Sequence, residues 1–243
     1  MLVKCGQMKV VILAAGKGTR MGKLSEDTPK PMLEVLGKPI LCRILEALPD
    51  VVDEAIITVN HLKEQIMNSI GERYSKLKIT YVENKKLLGT ADALWDCKAL
   101  LQNEEKFLVL MGDNLYLKDD LTECLKNPWA ILVQRKDSIK GLAKVAVDQD
   151  MNIEDIIERY TADEEGYMNT GVYSLTPEIF NYEMVEWGNG EYGLPQTILK
   201  AKVDRRIKAM PARFVMLITN PEDLNKAEEY FRALSTPGRS LYP

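Results

Sequence analysis

The chain predicts an α/β fold: a single domain on a doubly wound, mostly parallel, Rossmann-like mixed sheet. Three observations carry this expectation. Strand-like apolar runs alternate with segments of helical spacing through the first half. One run, Phe107-Leu108-Val109-Leu110-Met111, is apolar without interruption, as expected for a central strand covered on both faces. Another, Lys9 to Leu13, leads directly into a glycine-rich, cationic turn. In a sheet built from β-α-β units, ligands sit outside the carboxyl ends of the strands.

Taken in order, Ile40 to Leu48 carries helical spacing through Ile40, Ile44, Leu45 and Leu48. Glu54 to Val59 is expected as a strand, and His61 to Ile70 as a helix with Leu62, Ile66 and Ile70 on one side. Lys78 to Val82 is the next strand and Thr90 to Leu101 the next helix, with Thr90 as its N-cap. The second half is less regular. Strands are expected over Ala130 to Gln134, Leu142 to Val147, Ile153 to Glu158 and Gly171 to Leu175. Helices are expected over Pro195 to Lys202 and Pro221 to Leu234. No internal repeat or low-complexity linker divides the chain. The domain is therefore expected over residues 8–234, with flexible termini over 1–7 and 235–243.

Composition bounds the function. Of the 243 residues, 46% are hydrophobic and 28% charged, which suits a soluble globular protein. A net charge of −4 argues against a nucleic-acid surface, although a local cluster of cations is enough to hold phosphates. Cys5, Cys42, Cys97 and Cys124 form no C-x-x-C, and His61 is the single histidine, so zinc and Cys–His catalysis are disfavoured. No apolar run reaches the length of a membrane span and no signal-peptide pattern precedes the first strand, so a cytoplasmic location is expected. The oligomeric state stays open, a homo-oligomer included.

The turn Ala14-Ala15-Gly16-Lys17-Gly18-Thr19-Arg20 is the strongest functional signal. Its glycines can bring backbone N–H groups close to an anion, and Lys17 and Arg20 add charge and donors. The spacing is not that of a Walker loop. It also departs from the dinucleotide G-x-G-x-x-G, because Met21 takes the place of the third glycine. Two further blocks follow, Thr28-Pro29-Lys30-Pro31-Met32 and Gly37-Lys38-Pro39-Ile40-Leu41. Together, A-A-G-x-G-T-R, P-K-P-M and G-K-P-I-L resemble the sugar-1-phosphate nucleotidylyltransferase family, the nucleotide-sugar pyrophosphorylases. The resemblance spans nearly the whole chain and is densest from Val10 to Leu41.

That resemblance implies a nucleotide-binding half over about 8–125 and a sugar-phosphate-binding half over about 126–234. It implies Arg20, Lys30 and Asp113 as the catalytic set. Ala14, Ala15, Gly16, Lys17, Gly18, Thr19, Asn84, Gly89 and Thr90 would bind the nucleotide. In this set Gly89 leaves room for the base and Asn84 offers its amide to it. Gly141, Glu158, Arg159, Asn169 and Thr170 would bind the sugar phosphate, with Arg159 standing where the family usually carries Lys. Glu191 lies where the family carries a G-E. The implied cofactor is Mg²⁺ on Asp113, consistent with an oxygen ligand at a strand end. Many members place a second metal-binding Asp before the closing helix, and here that position holds Leu217. Asn220 is the candidate second ligand, and an N-cap before Pro221 is its competing role. His61 and the helically spaced Met and Leu residues are expected to be structural.

The implied reaction joins a nucleoside triphosphate, UTP or dTTP favoured, to a hexose 1-phosphate. A nucleoside-diphosphate sugar forms and pyrophosphate leaves. Neither nucleic acid nor membrane is an expected partner. The rivals are a CTP-dependent cytidylyltransferase acting on a sugar, polyol or choline phosphate, a glycosyltransferase, and a non-catalytic nucleotide-sugar sensor. The glycosyltransferase is disfavoured because the Asp113 block reads D-N-L and not D-x-D. Leu217 is the feature that keeps the sensor open.

Overall fold

The computed structural model describes residues 8–234, so the expected flexible termini and Cys5 lie outside the described residues. The chain opens with β1 (Met8–Leu13), two 3-10 segments (Thr19–Ser25 and Lys30–Met32), and a hairpin of β2 (Glu34–Val35) and β3 (Lys38–Pro39). Next come α1 (Ile40–Glu46), β4 (Val52–Val59), α2 (Lys63–Ile70), β5 (Arg73–Tyr74) and β6 (Leu77–Glu83). Helices α3 (Thr90–Trp95) and α4 (Lys98–Leu101) lead to β7 (Phe107–Met111), β8 (Asn114–Tyr116) and α5 (Lys118–Cys124). The second half holds β9 (Ala130–Lys136), β10 (Lys144–Val147), β11 (Ile153–Ile157) and β12 (Gly166–Leu175). It closes with β13 (Val185–Gly188), β14 (Glu191–Gly193), α6 (Leu194–Lys200), β15 (Lys208–Pro211), β16 (Val215–Leu217) and α7 (Pro221–Leu234).

Ten strands form one mixed sheet, ordered β11-β10-β12-β7-β1-β4-β6-β5, with β9 joining β12 to β15. Strand β1 lies parallel to β4 and β7, and β4 parallel to β6, so the first half is the expected parallel arrangement. Strand β12 runs antiparallel to β7, and the second half extends the sheet mainly by antiparallel pairing. The period of two explains why β1 is apolar from Val10 onward. Val10 and Ile12 enter one core layer while Val11 enters the other, all three fully buried. Each face of the sheet is thereby covered. Among the described residues no helix is long and apolar enough to cross a membrane.

Local differences from the expected elements have physical causes. The helix expected over Thr90 to Leu101 breaks into two, with Asp96 and Cys97 between α3 and α4. Helix α2 starts at Lys63, because Leu62 adopts a left-handed φ of 54° and leaves His61 in the preceding turn. Thr90 is not the cap of α3. Gly89 occupies that position, and the Thr90 hydroxyl accepts from Leu194 N at 2.9 Å instead.

Strands β8 and β16 pair antiparallel, with Leu217 opposite Asn114. They are held by Asp120 on α5, a carboxylate only 3% exposed. Asp120 accepts from Arg213 N, Phe214 N and Arg213 Nε at 2.9, 3.0 and 2.9 Å. Removing it would leave main-chain donors without their acceptor. We expect Asp120→Ala to cost about 2–4 kcal/mol in urea unfolding. A loss below about 0.5 kcal/mol would show that this tie does not hold the strand pair.

Candidate active site

The parallel strands end where the site begins. Past β1, Ala14 N donates to Thr58 O at 3.2 Å, and Gly112 N donates to Leu13 O at 2.9 Å. These two bonds carry the sheet ladder one step beyond its strands and fix the start of the glycine turn against β4 and β7. Gly18 then takes φ 65°, and a Cβ there would lie 3.0 Å from Lys30 Cβ. A side chain at position 18 would therefore strain the turn and push on Lys30. Gly18 O accepts from Met21 N and from Ser25 Oγ, both at 2.9 Å, which ties the turn to the segment after it. Gly16 does not take a positive φ and has open space around it. Lys17, Thr19 and Arg20 are exposed at the rim.

Lys30 and Asp113, 83 residues apart, meet inside this frame. Lys30 Nζ donates to Asp113 Oδ2 at 2.5 Å. The lysine side chain is 8% exposed and the carboxylate 35%, so Asp113 is the partner open to a ligand. Its Oδ1 accepts no bond from the described residues. A cleft of about 560 Å³ surrounds the pair. It is lined by all of the residues from Leu13 to Arg20, by Lys30 and Asp113, and by Thr58, Asn84, Gly89, Thr90 and Glu191, among others. The residues expected to be catalytic and those expected to bind the nucleotide thus line one cleft.

Gly89 is placed differently from what its proposed role implies. It has φ 101°, and a Cβ would lie 2.5 Å from Tyr192 O. The space it leaves is filled by the main chain of β14, whose Tyr192 N donates to Leu88 O at 2.6 Å. Asn84 is 1% exposed, and its amide donates to Asp92 Oδ2 and Asp96 Oδ2 at 2.7 and 2.8 Å. The donor end of this amide is therefore taken up within the protein.

The sugar-side residues form a neighbouring group that does not line the 560 Å³ cleft. Gly141 N donates to Tyr160 O, Tyr160 N to Leu142 O, and Asn169 N to Ala143 O. These bonds stitch three segments together, bringing Gly141, Glu158 and Arg159 on two turns beside Asn169 on β12. Glu158 Oε1 accepts from Gln196 Nε2 at 3.3 Å, and the Arg159 guanidinium lies 5.2 Å from the Trp187 ring centre. Asn169 donates to the Tyr173 hydroxyl at 2.9 Å. Burial pushes the ionisation of Tyr173 well up, so this hydroxyl stays neutral and can accept. Thr170 faces elsewhere: it is 1% exposed and its hydroxyl donates to Leu132 O at 2.6 Å. Its side chain holds β12 to β9 and is not available to a sugar.

Asn220 sits at the head of α7. Its Oδ1 accepts from Glu222 N and Asp223 N at 2.9 and 3.2 Å, the pattern of a helix N-cap. Both lone pairs of that oxygen are taken up, and Asn220 is not among the cleft-lining residues. The geometry favours the cap over the metal ligand. Burial would raise the Asp223 carboxyl, but bonds from the Thr219 hydroxyl and N–H, Lys226 and Asn220 N–H hold it below its usual range. Among the described residues no three His, Cys, Asp or Glu side chains converge on a metal position.

Sequence reasoning missed Thr58, Asp92 and Asp96. Thr58 was findable, since it lies near the carboxyl end of a strand flanking β1, where site residues gather. The two aspartates gave no signal until the Asn84 contacts were visible.

The model of the nucleotidyl transferase family matches residues 9–202. The UTP–glucose-1-phosphate uridylyltransferase AglF of Haloferax volcanii is 33% identical, across 94% of this chain and 98% of its own length. The bifunctional protein GlmU of Methanocaldococcus jannaschii is 31% identical across 92% of this chain but 54% of its own, so the chain spans about half of that relative. Among solved structures, HddC from Yersinia pseudotuberculosis superposes with a TM-score of 0.75 at 27% identity, covering 93% of this chain and 100% of HddC. A family match across most of the chain, joined to a relative aligned almost end to end, establishes that this protein belongs to the nucleotidyl transferase family.

Proposed function

We propose that the protein is a sugar-1-phosphate nucleotidylyltransferase. It transfers a nucleoside monophosphate from a nucleoside triphosphate, UTP or dTTP favoured, to a hexose 1-phosphate and releases pyrophosphate. The observation that carries this reading is the Lys30–Asp113 pair at 2.5 Å, set against the glycine turn in a cleft large enough for a nucleotide. The name of AglF supports the choice of UTP and glucose 1-phosphate.

A phosphate oxygen of the sugar phosphate attacks the α-phosphorus in line, forming one P–O bond as the bond to pyrophosphate breaks. No covalent intermediate on the protein is needed. The chain has to position two polyanions and neutralise the charge that develops between them. Arg20 and the amides of the 16–19 turn hold the departing pyrophosphate. Lys30 is buried along its stem, so its ammonium has a short reach. Its ammonium rests on Asp113, and with substrate bound it turns to the α-phosphate and attacking oxygen. Asp113 is then freed of its cation.

The residues present fit a magnesium ion held in the manner typical of phosphate sites. One carboxylate with an unpartnered oxygen is offered, and phosphate oxygens and water complete the set. Asp113 would hold the ion, which when bound withdraws charge from the phosphates. Gly141, Glu158, Arg159 and Asn169 form the sugar-phosphate side. Arg159, which lies over the Trp187 ring, would meet the sugar phosphate.

A coupled assay of pyrophosphate release, run with UTP, dTTP, CTP, GTP and ATP against sugar and polyol phosphates, tests the class. We expect release with UTP or dTTP and a hexose 1-phosphate. Release confined to CTP and a polyol or choline phosphate would move the acceptor and base. Silence with nucleotide binding intact would leave a sensor. Replacing Arg20 or Lys30 by Ala should lower kcat roughly 10²–10³-fold, and turnover near wild type would remove that residue from the mechanism. Asp113→Ala should raise the half-saturating Mg²⁺ concentration about tenfold or more. An unchanged magnesium dependence would place the metal elsewhere. Thr170→Val should leave the KM for sugar phosphate within about twofold while lowering stability by about 1 kcal/mol. A large rise in KM without loss of stability would return Thr170 to the sugar site.

A further inference from the structure

The side chain of Asn84 is oriented from behind. Its Nδ2 donates to Asp92 Oδ2 at 2.7 Å and to Asp96 Oδ2 at 2.8 Å. Its main-chain N–H goes to Val59 O, and its main-chain carbonyl accepts from Asn60 Nδ2. That leaves Oδ1, on a residue 1% exposed that lines the cleft, with no partner among the described residues. Carboxylate oxygens accept and do not donate. Turning the amide over would press Oδ1 against two of them, so the amide has one orientation. Asp92 is itself held, since it is 6% exposed and its Oδ2 also accepts from Leu88 N at 3.3 Å. Asp96 lies one helical turn further on, where α3 ends.

We infer that Asp92 and Asp96 are positioning residues for nucleobase selection, locking Asn84 so that an acceptor alone faces the base. Set opposite position 3 of a pyrimidine, a fixed acceptor suits a base that carries hydrogen on its ring nitrogen, as uracil and thymine do at N3. It meets a bare lone pair at N3 of cytosine. This inference rests on the reading of the cleft as a nucleotide site. It adds that the choice of base is enforced by two carboxylates that touch no substrate.

The test is calorimetric titration of the whole protein with MgUTP and with MgCTP, which needs no turnover. Wild type, Asp92→Asn, Asp96→Asn and the double variant are compared, each with its thermal melt. Asparagine keeps the shape but can donate or accept, so the Asn84 amide becomes free to turn. Wild type should bind UTP at least about tenfold tighter than CTP, and the folded double variant should lose about tenfold to a hundredfold of that ratio. Because Asp96 is exposed, its single variant keeps the test open if the double variant does not fold. Glu105→Gln, at an exposed carboxylate outside the cleft-lining set, should leave the ratio unchanged. An unchanged ratio in the folded Asp variants, or a wild-type preference for CTP, would overturn the inference. Selective UTP binding with no pyrophosphate release from any sugar phosphate would defeat the proposed reaction while supporting this selection device.

Discussion

Strand β1, clamped in parallel register between β4 and β7, is the constraint on which the rest of the site depends. Leu13 stands opposite Thr58 on one side and Met111 on the other. The ladder then runs one residue further on both sides, through Ala14 to Thr58 and Gly112 to Leu13. A glycine turn leaving an unpaired strand would have many conformations to lose on binding a phosphate. Here the first residues of the turn are ordered by the sheet, so part of that entropy cost is met in folding. The two buried faces of β1 make the clamp strong, because a one-residue slip would exchange the partners of Val10, Val11 and Ile12.

The charges are arranged around that clamp. Lys30 and Asp113 come from segments far apart in sequence, and each answers the charge of the other. A partly buried lysine without an anion would be costly to keep charged. In the proposed reaction, the pairing lets the site hold a cation ready for phosphate without destabilising the fold. Behind Asp113, β8 and β16 are closed by Asp120, which bonds the chain at Arg213 and Phe214. Leu217, where a second metal-binding carboxylate is usual in the resembling family, is a strand residue opposite Asn114. Its half-buried side chain packs against the main core layer. The structure uses that position for packing, which leaves Asp113 as the carboxylate at the centre of the site.

Much of this was legible in the sequence, and what was not shares a cause. Strands β1 and β7 and helix α7 were expected within a residue of where they lie, because long apolar runs and a Pro at the first helical position are local signals. The glycine turn was legible for the same reason. Thr90 failed as a cap because a distant donor, Leu194 N, took its hydroxyl. Asn84 and Thr170 were assigned to ligands from their blocks. Their side-chain partners, Asp92 and Asp96 for one and Leu132 O for the other, depend on contacts that no spacing rule encodes. The short strands β8, β15 and β16 were missed because three or four residues carry too little periodicity, and only their pairing defines them. Local chemistry could be read directly; the partner choices of polar side chains could not.

The claim that matters most is that the triphosphate sits between the glycine turn and the end of β7. Methyl NMR on alanine- and methionine-labelled protein, titrated with MgUTP, measures this without relying on turnover. The account predicts the largest shifts at Ala14, Ala15, Ala93 and Met111, all of which line the cleft, with little change at Ala209 on β15, beyond β7, β12 and β9 from β1. Saturation with those four methyls unmoved, and shifts elsewhere, would contradict it.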